Sequence, residues 1–269
     1  MSATRSHNRR YLIAAGAFMI AAAGVYGVAR FYPALGPIAG TVTPQLYVDS
    51  LPGIQIPARG RSVLVDAASA RLYMLEDGRV LDSMRVIVGK PETPTPALTS
   101  VIHYETLNPY WHVTSDLART LIAPRVLQDG KEYLTTRGYE VVTAFGPSAQ
   151  VLPPDSVDWK AVAEGKTQVL VRQRPGPANS LGQVKFDLPD GDGIYLHDTP
   201  KKELFAQDAR NLSHGCVRLE DAQKLARWML GKDPPAASNP EEHVLLPRPV
   251  PITISYLDSR AQMQLAMLW

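Results

Sequence analysis

Short stretches of alternating or continuous apolar residues dominate the chain beyond residue 60 and predict a domain built mainly from β-strands. Two of these stretches, Arg71–Leu75 and Val80–Val88, flank Asp77-Gly78, a dipeptide that favours a tight hairpin turn. The other predicted strands are Ser62–Asp66, Val169–Val171, Val184–Phe186, Gly193–His197, Val244–Leu246 and Ile252–Tyr256. Gly, Pro or polar residues bound each of them, as in sandwiches and barrels.

Helical periodicity appears in three places. Apolar residues recur at helical spacing over residues 222–230 and stop at Gly231, which predicts an amphipathic helix. Two further helices are predicted near residues 117–122 and 159–162, within a stretch from about 110 to 165 that lacks the β pattern. Their expected N-caps are Ser115 or Asp116 and Asp155 or Ser156. This stretch is therefore interpreted as an insertion into the strand-built domain.

An uncharged run occupies residues 11–29 and follows Arg5, Arg9 and Arg10. As a helix, these residues would extend ~28 Å, close to the ~30 Å hydrocarbon thickness of a bilayer. The arginines favour a cytoplasmic N-terminus and a retained transmembrane anchor. The small residues Gly27-Val28-Ala29 make a cleaved signal segment the alternative, whereas a buried core helix fits this position less well. Both leading interpretations place the rest of the chain outside the cytoplasm.

Changes in composition divide the chain into four segments. Residues 1–30 form the cytoplasmic N-terminus with the anchor or signal segment, and residues 31–60, which begin rich in Pro and Gly, are interpreted as a linker. The strand-rich residues 61–257 are expected to be one domain, followed by a C-terminal tail over residues 258–269.

The charge balance and the cysteine count exclude several classes of protein. The chain has 269 residues and a net charge of +2, without the clustered positive charge that nucleic-acid binding requires. Its single cysteine, Cys216, excludes an internal disulfide and a zinc site built on several thiolates. His103, His112 and His243 show no metal-ligand spacing, and no phosphate-binding Gly-rich loop follows a strand. We therefore expect neither a metal nor a cofactor.

The residues around Cys216 favour a reactive thiol over an inert one. A thiol needs a nearby base to act as a nucleophile, and both His197, at a predicted strand end, and His214 are candidates. Gly215 permits a tight turn that leaves backbone N–H groups near the sulfur, where they can stabilise an oxyanion. The residues alone thus indicate a Cys–His acyl transferase or hydrolase. A core histidine beside an inert thiol is the alternative.

The spacing of these residues resembles a known signature. His197, fifteen intervening residues and then Ser213-His214-Gly215-Cys216 resemble the signature of the L,D-transpeptidase (YkuD-type) catalytic domain. The segments 88–91, 93–96 and 196–200 are similar to other parts of that domain. Residues 108–113, 172–177 and 180–186 resemble the subgroup that carries an inserted lid over the active site. The resemblance covers roughly residues 61–256.

The resemblance implies a fold and a reaction. The fold is a β-sandwich or closed barrel of mixed sheets with a few short helices and an α/loop lid inserted at about residues 108–165. These enzymes act on peptidoglycan stem peptides: the cysteine attacks a tetrapeptide stem, releases D-alanine and forms a thioester. An amine acceptor then resolves the thioester, which gives a 3–3 crosslink or attaches a lipoprotein.

The resemblance also implies roles for individual residues. Cys216 is the nucleophile and His197 the general base, whose ring is oriented by a backbone carbonyl, that of Asp198. His214 shapes the pocket, and the backbone at Gly215 contributes to an oxyanion hole. The residues expected to contact substrate are Ser213, Asp198, Asn179, Arg218 and Trp111.

Some of these contacts have ordinary structural alternatives. Many family members carry Asn at the position of Arg218, so this arginine either grips a substrate carboxylate or forms a structural ion pair. Arg172, Arg174 and Lys185 are candidates to line a groove for a carboxylate of the diamino acid, although exposed basic residues are usually only solvated. Trp111 and Tyr110 either pack the lid onto the groove or are simply core aromatics.

Three classes of function stay open at this point. The first is transpeptidation between stems or onto a lipoprotein, by an enzyme of the bacterial cell envelope with a periplasmic catalytic domain and an inner-membrane anchor. The second is hydrolysis of the same bonds by an L,D-carboxypeptidase, endopeptidase or amidase. The third is a non-catalytic wall-binding protein, against which the complete set of His197, His214, Gly215 and Cys216 argues. A papain-like protease fits poorly because its cysteine precedes its histidine.

Overall fold

The computed structural model describes residues 47–51, 54–189 and 193–269, and this part of the chain is mainly β. The strands are β1 (Tyr47–Leu51), β2 (Ile54–Pro57), β3 (Arg61–Asp66), β4 (Arg71–Glu76), β5 (Arg79–Gly89), β6 (Leu98–Leu107), β7 (Trp111–Val113), β8 (Tyr139–Val142), β9 (Val151–Leu152), β10 (Leu170–Gln173), β11 (Val184–Asp187), β12 (Tyr195–His197), β13 (Asn211–Ser213), β14 (Val217–Leu219) and β15 (Glu242–Ser255).

The helices are short. They are α1 (Ser115–Leu117), α2 (Ala123–Asp129), α3 (Glu132–Thr136), α4 (Trp159–Ala163), α5 (Ala222–Leu230) and α6 (Ser259–Ala266). A π-helical turn (Ala118–Ile122) joins α1 to α2, and 3₁₀ helices occupy Pro154–Ser156 and Lys202–Ala206. None of the helices within the described residues is long and apolar enough to cross a membrane. The run at residues 11–29, for which an anchor or signal was expected, lies outside the described residues.

Eight strands close into a barrel of mixed strand directions. Their order around the barrel is β5, β14, β12, β11, β6, β15, β3 and β4, and β4 pairs with β5 to close the ring. The pairs β12–β14 and β15–β3 are parallel, and the other six are antiparallel. Strand β13 pairs with β5 outside this ring. The predicted mainly β, closed-barrel fold is thereby confirmed.

Local sequence explains two features of the barrel. Asp77 and Gly78 both have positive φ, 51° and 77°, and form the tight turn between β4 and β5 that their dipeptide predicts. The two runs expected at 244–246 and 252–256 instead belong to one strand, β15, whose pairing with β6 shifts register between Leu245 and Val250. Two prolines without backbone N–H groups lie in this interval and account for the interruption in the pattern.

The main core is formed by inward-facing residues of the barrel together with one face of α5. The helix matches the prediction for residues 222–230: Asp221 caps its first turn, accepting a hydrogen bond from the Lys224 N–H at 2.8 Å, and Gly231 ends it in the left-handed conformation. Its buried residues in this core are Ala222, Leu225, Ala226, Met229 and Leu230.

The insertion has a sheet and a core of its own. Strands β7, β10, β8 and β9 pair in that order, and they share a second apolar cluster with the helices between residues 115 and 163. The expected α/loop insertion ending near 165 is therefore corrected, because β10 pairs with both β7 and β8 and extends the insertion to Gln173. We call residues 111–173 the lid.

The helix starts within the lid also differ from the prediction. Thr114, rather than Ser115 or Asp116, caps α1 through a hydrogen bond from the Leu117 N–H. Asp158 caps α4 by accepting from the Ala161 N–H at 2.9 Å, and the expected caps Asp155 and Ser156 belong to the preceding 3₁₀ helix. In each case the capping side chain belongs to the residue directly before the helix and accepts from an N–H group of its first turn.

A third apolar cluster joins the two ends of the described chain. The hairpin β1–β2 lies within the expected linker over 31–60, and α6 lies within the expected tail over 258–269. Both contribute buried residues to the same cluster, including Ile56 at 3% exposure and Leu265 at 1%. The linker and tail assignments are thus corrected for these residues. Alternating apolar residues in the hairpin, and Ala261 with Leu265 one turn apart in α6, provide the buried faces.

Candidate active site

The strand register of the barrel aligns several chemically active side chains on its outer face. His197 on β12 pairs with Lys185 on β11 and with Arg218 on β14, so the three side chains lie in one row. The interleaved residues Leu196 and Val217 are fully buried, which shows that they face the core and that the His197 row faces outward.

Tyr195 connects this row to Cys216. Tyr195 precedes His197 by two residues on β12 and so faces the same side, and their rings lie 5.9 Å apart at 62°. Cys216 directly precedes β14, in the register position beside Tyr195, with which it interacts, and its thiol donates to the Gly193 carbonyl at 3.8 Å. Cys216 is half-buried, whereas His197 is only 5% exposed. The structure therefore brings Cys216, Tyr195 and His197 together in one site.

The turn that presents Cys216 is held by two hydroxyl groups. The Ser213 hydroxyl donates to the Cys216 carbonyl at 2.6 Å and accepts from the Gly215 N–H at 3.1 Å. The buried Thr95 hydroxyl donates to the Gly215 carbonyl at 2.7 Å and accepts from the Gly89 N–H at 2.9 Å. Gly215 has φ +116°, a conformation that side-chain-bearing residues rarely adopt, so the turn requires glycine.

These contacts determine which N–H group is available at the nucleophile. The C=O and N–H of a planar trans peptide point in opposite directions, so anchoring the Gly215 carbonyl on Thr95 directs the Cys216 N–H the other way. This N–H has no acceptor among the described residues. The Gly215 N–H, by contrast, donates to the Ser213 hydroxyl, and the oxyanion contact expected at the Gly215 backbone stays a prediction. The Ser213 hydroxyl is likewise used within the turn, and its expected substrate contact stays a prediction.

His197 is held in a defined orientation. Its Nδ1 lies 2.5 Å from the carbonyl oxygen of Asp198, the contact expected for this ring. If Nδ1 donates to that carbonyl, Nε2 is the remaining acceptor of the imidazole. Burial and the positive charge of Arg218 lower the pKa of His197 to about 3. The ring is therefore neutral at physiological pH.

Burial raises the pKa of the Cys216 thiol, although hydrogen bonds from Tyr195 and the charge of Arg218 oppose this effect. A thiol with a raised pKa beside a neutral imidazole defines an uncharged pair at neutral pH. In such a pair the thiol proton must pass to the imidazole while the sulfur attacks a carbonyl, rather than before the attack.

Arg218 is a half-buried cation next to the thiol. Burial lowers its pKa, and proximity to Cys216 raises it. No carboxylate of the described residues lies within ion-pair distance of its guanidinium, so the structure does not support the interpretation as a structural ion pair. His214 is exposed nearby, and burial and the charges of Lys90 and Arg218 lower its pKa.

Asn179, another residue expected to contact substrate, forms hydrogen bonds within the protein. The Asn179 side chain is buried and donates to the carbonyls of Pro109 and Arg174, both at 2.9 Å, while its oxygen accepts from the Leu181 N–H at 2.8 Å. These bonds tie together the segments that flank the lid. The substrate role expected for Asn179 stays a prediction.

The basic residues considered for a carboxylate groove are also paired. Arg172 and Arg174 approach Glu140 at 2.8 and 3.6 Å, and Lys185 contacts Asp187 at 3.0 Å. They therefore act as partners of acidic side chains on the lid and on β11.

Trp111 reaches the site indirectly. It lies on β7 of the lid, its ring centroid is 6.1 Å from that of Tyr139, and its side chain interacts with Tyr195. Trp111 therefore links the lid to Tyr195, which contacts the thiol. Sequence reasoning missed Tyr195, although its position two residues before His197 on a strand could have indicated it. Thr95 gave no such signal, because its contact to Gly215 spans 120 residues.

These features define a β-barrel domain that presents a cysteine and a histidine on the outer face of two neighbouring strands, together with an inserted lid. The chain belongs to the YkuD family, the L,D-transpeptidase catalytic domain, whose family model matches residues 60–252. The family suggested by the signature is thereby confirmed, and it is a family of transferases that act on peptidoglycan stem peptides.

The chain is also similar to individual proteins. The chain is 35% identical over 175 residues to a Haemophilus influenzae protein named as a candidate L,D-transpeptidase, covering 65% of this chain and 35% of that protein. It thus spans about a third of that relative's length. Among solved structures it is similar to an L,D-transpeptidase from Mycobacterium smegmatis (19% identity, TM-score 0.36, 73% of this chain and 59% of that one). An L,D-transpeptidase from Enterococcus faecium gives 13% identity and a TM-score of 0.37, over 75% and 55% of the two chains.

Proposed function

We propose that this protein is a peptidoglycan L,D-transpeptidase that uses Cys216 as its nucleophile and His197 as its general base. The observation that carries this proposal is the outward-facing arrangement of a neutral imidazole and a thiol on neighbouring strands, with the Cys216 N–H directed away from Thr95 and without an acceptor in the described chain. Such an arrangement has the parts needed for acyl transfer: nucleophile, base and oxyanion donor.

In the proposed first half-reaction, the Cys216 sulfur attacks the carbonyl carbon of the third residue of a tetrapeptide stem, and His197 Nε2 takes the thiol proton. The Cys216 N–H faces the oxyanion that forms on the carbonyl oxygen. When the tetrahedral intermediate collapses, the C–N bond breaks, and His197 returns the proton to the amine of the departing D-alanine. The products are free D-alanine and a thioester on Cys216.

In the second half-reaction, a side-chain amine of another stem attacks the thioester and transfers a proton to His197. The C–S bond breaks, the thiol is reprotonated, and a 3–3 crosslink results. An amine of a lipoprotein would react in the same way. Arg218 is the group we assign to a carboxylate of the donor stem, because it is a cation beside Cys216 with no described acidic partner.

We further propose an extracytoplasmic location, since the peptidoglycan substrate lies outside the cytoplasm. The uncharged run at residues 11–29, preceded by three arginines, supports an inner-membrane anchor or an export signal at this end of the chain.

Mass spectrometry of the products tests the reaction. With a purified tetrapeptide donor whose side-chain amine is blocked and an amine acceptor stem, we expect D-alanine and a 3–3 dimer, whereas the blocked donor without an acceptor should give D-alanine and tripeptide only. Cys216→Ala should abolish both products, and His197→Ala should reduce them strongly. His103→Ala, which changes an exposed histidine on β6, is the matched control and should retain activity. Tripeptide as the sole product with acceptor present would indicate a hydrolase, and equal turnover by Cys216→Ala would exclude the mechanism.

A further inference from the structure

Lys202 begins the 3₁₀ helix that follows the strand carrying His197, and its ammonium group has three oxygen partners. It contacts the Asp198 carboxylate (Oδ1) at 2.6 Å, the Glu220 carbonyl at 2.8 Å and the Leu219 carbonyl at 3.3 Å. Asp198 also supplies the carbonyl that holds the His197 ring. The two other partners lie at the end of β14, the strand that follows Cys216. One ammonium group thus joins the end of the histidine strand to the end of the cysteine strand.

The remaining contacts of Asp198 leave it little freedom. Its second carboxylate oxygen accepts from the Gln183 N–H at 3.0 Å, and its backbone N–H donates to the Val184 carbonyl at 2.9 Å. Gly182 packs so closely that a Cβ at this position would lie 2.3 Å from the Asp198 carboxylate. Lys202 is the remaining partner of the Asp198 carboxylate, and it approaches from the solvent side, since its own side chain is 48% exposed.

The stability of the fold does not account for the three contacts of the Lys202 ammonium group. A lysine–carboxylate pair at this exposure contributes little to the free energy of unfolding. However, two of the three partners are backbone carbonyls at the end of β14, and the third belongs to the residue that orients the base. The contacts of Lys202 therefore converge on the relative placement of His197 and Cys216.

We propose that Lys202 is a positioning residue for the acyl-transfer reaction. It fixes Asp198, so that the Asp198 carbonyl holds the His197 ring through Nδ1 with Nε2 directed to the proton that it must move. It also keeps the ends of β12 and β14 in place relative to each other. This inference rests on the proposed function and adds a residue whose role is to orient the base without touching substrate.

Lys202→Met removes the ammonium group but keeps much of the aliphatic side chain, and Lys201→Met is the matched control at the exposed neighbouring position. Because an ångström-scale displacement of a base has a large effect on rate, we expect the acylation rate constant to fall about tenfold in Lys202→Met. The KM for the donor stem should remain within twofold of the wild-type value. Lys202→Arg, which keeps the charge and the donors, should recover most of the rate.

Proton NMR of the substrate-free enzyme provides an independent readout. A His197 Nδ1–H bonded to a carbonyl gives a downfield resonance, which we expect to move upfield and exchange faster with water in Lys202→Met but not in Lys201→Met. An unchanged resonance together with an unchanged acylation rate in Lys202→Met would overturn the proposal. Equal losses in both methionine variants would also overturn it. A shifted resonance in an enzyme that makes no crosslink would support the role of Lys202 while contradicting the proposed function.

Discussion

At the scale of single residues, the site depends on hydroxyl groups that do not react. Ser213 and Thr95 together use both hydrogen-bonding groups of Gly215, its N–H and its carbonyl. The peptide that joins Gly215 to Cys216 consequently has a fixed orientation before any substrate binds. Preorganised donors of this kind account for much of the rate enhancement in acyl-transfer enzymes, because they need no reorganisation during the reaction.

Replacing Thr95 with valine tests this arrangement. The change keeps the shape of the side chain but leaves the buried Gly215 carbonyl and Gly89 N–H without their partner, so we expect the free energy of unfolding to fall by about 1–3 kcal/mol. The acylation rate should fall about tenfold as the orientation of the Cys216 N–H relaxes. Stopped-flow acylation and chemical denaturation measure the two effects.

Two controls accompany this variant. Thr95→Ser retains the hydroxyl and should recover most of the rate, whereas Thr99→Val, at an exposed position on β6, should change neither quantity. An acylation rate in Thr95→Val equal to the wild-type rate would show that the Gly215 carbonyl does not need this anchor.

At this scale the sequence is informative where the relevant residues are unusual or specifically spaced. Cys216 and His197 stand out because the thiol is unique and the spacing to the histidine is long and specific. The buried hydrogen bonds of Asn179 could not be predicted, since only the folded chain brings backbone groups of Pro109, Arg174 and Leu181 onto its amide. Whether a polar side chain already has hydrogen-bond partners depends on residues that are distant in sequence. A pattern of residue types therefore cannot indicate it.

At the scale of elements, strand β6 carries an unusual residue on its inner face. Glu105 pairs with Phe186 on β11 and Val244 on β15, is fully buried, and has no hydrogen-bond partner for either carboxylate oxygen within the described chain. Burial raises its pKa to about 7, compared with 4.5 for the unperturbed group. The folded protein therefore binds this proton more tightly than the unfolded chain does.

The consequence is a defined pH dependence of stability. The contribution of protonated Glu105 is fully present below about pH 4.5 and is lost as the pH rises through about 7, which amounts to about 3 kcal/mol. Glu105→Gln should remove this contribution and make the protein more stable than the wild type at pH 8. Urea denaturation between pH 4 and pH 8 measures it. Glu92→Gln, at an exposed position, should keep the wild-type dependence, and an equally steep dependence in Glu105→Gln would contradict the assignment.

Element boundaries were predictable only where a single residue determines them. The turn at Asp77 and Gly78 and the end of α5 at Gly231 both require positive φ, which the dipeptide and the glycine indicate directly. The length of the lid was underestimated because β10 belongs to it only through pairing with β7 and β8. Such pairing cannot be read from the order of residues along the chain. The hairpin β1–β2 and α6 were missed for the same reason, since each buries its apolar face against the other end of the described chain.

At the scale of the whole molecule, the described chain has three apolar clusters, one in the barrel, one in the lid and one beneath α6. The barrel supplies the strands that hold Cys216 and His197, and the lid reaches them through Trp111 and Tyr195. A lid with its own core can shape the cleft beside the thiol without disturbing the strands that position it. The family assignment, the barrel and the site are consistent with one reaction, acyl transfer through Cys216.

The central claim is that Cys216 becomes acylated by a stem peptide, and intact-protein mass spectrometry tests it most directly. After incubation of the wild-type protein with a tetrapeptide donor and an acid quench, we predict a mass increase equal to the tripeptide acyl group, located on Cys216 by peptide mapping. Cys216→Ala should show no increase, and His197→Ala should acquire it much more slowly. Release of D-alanine without any adduct on Cys216, or the same adduct on Cys216→Ala, would contradict the account.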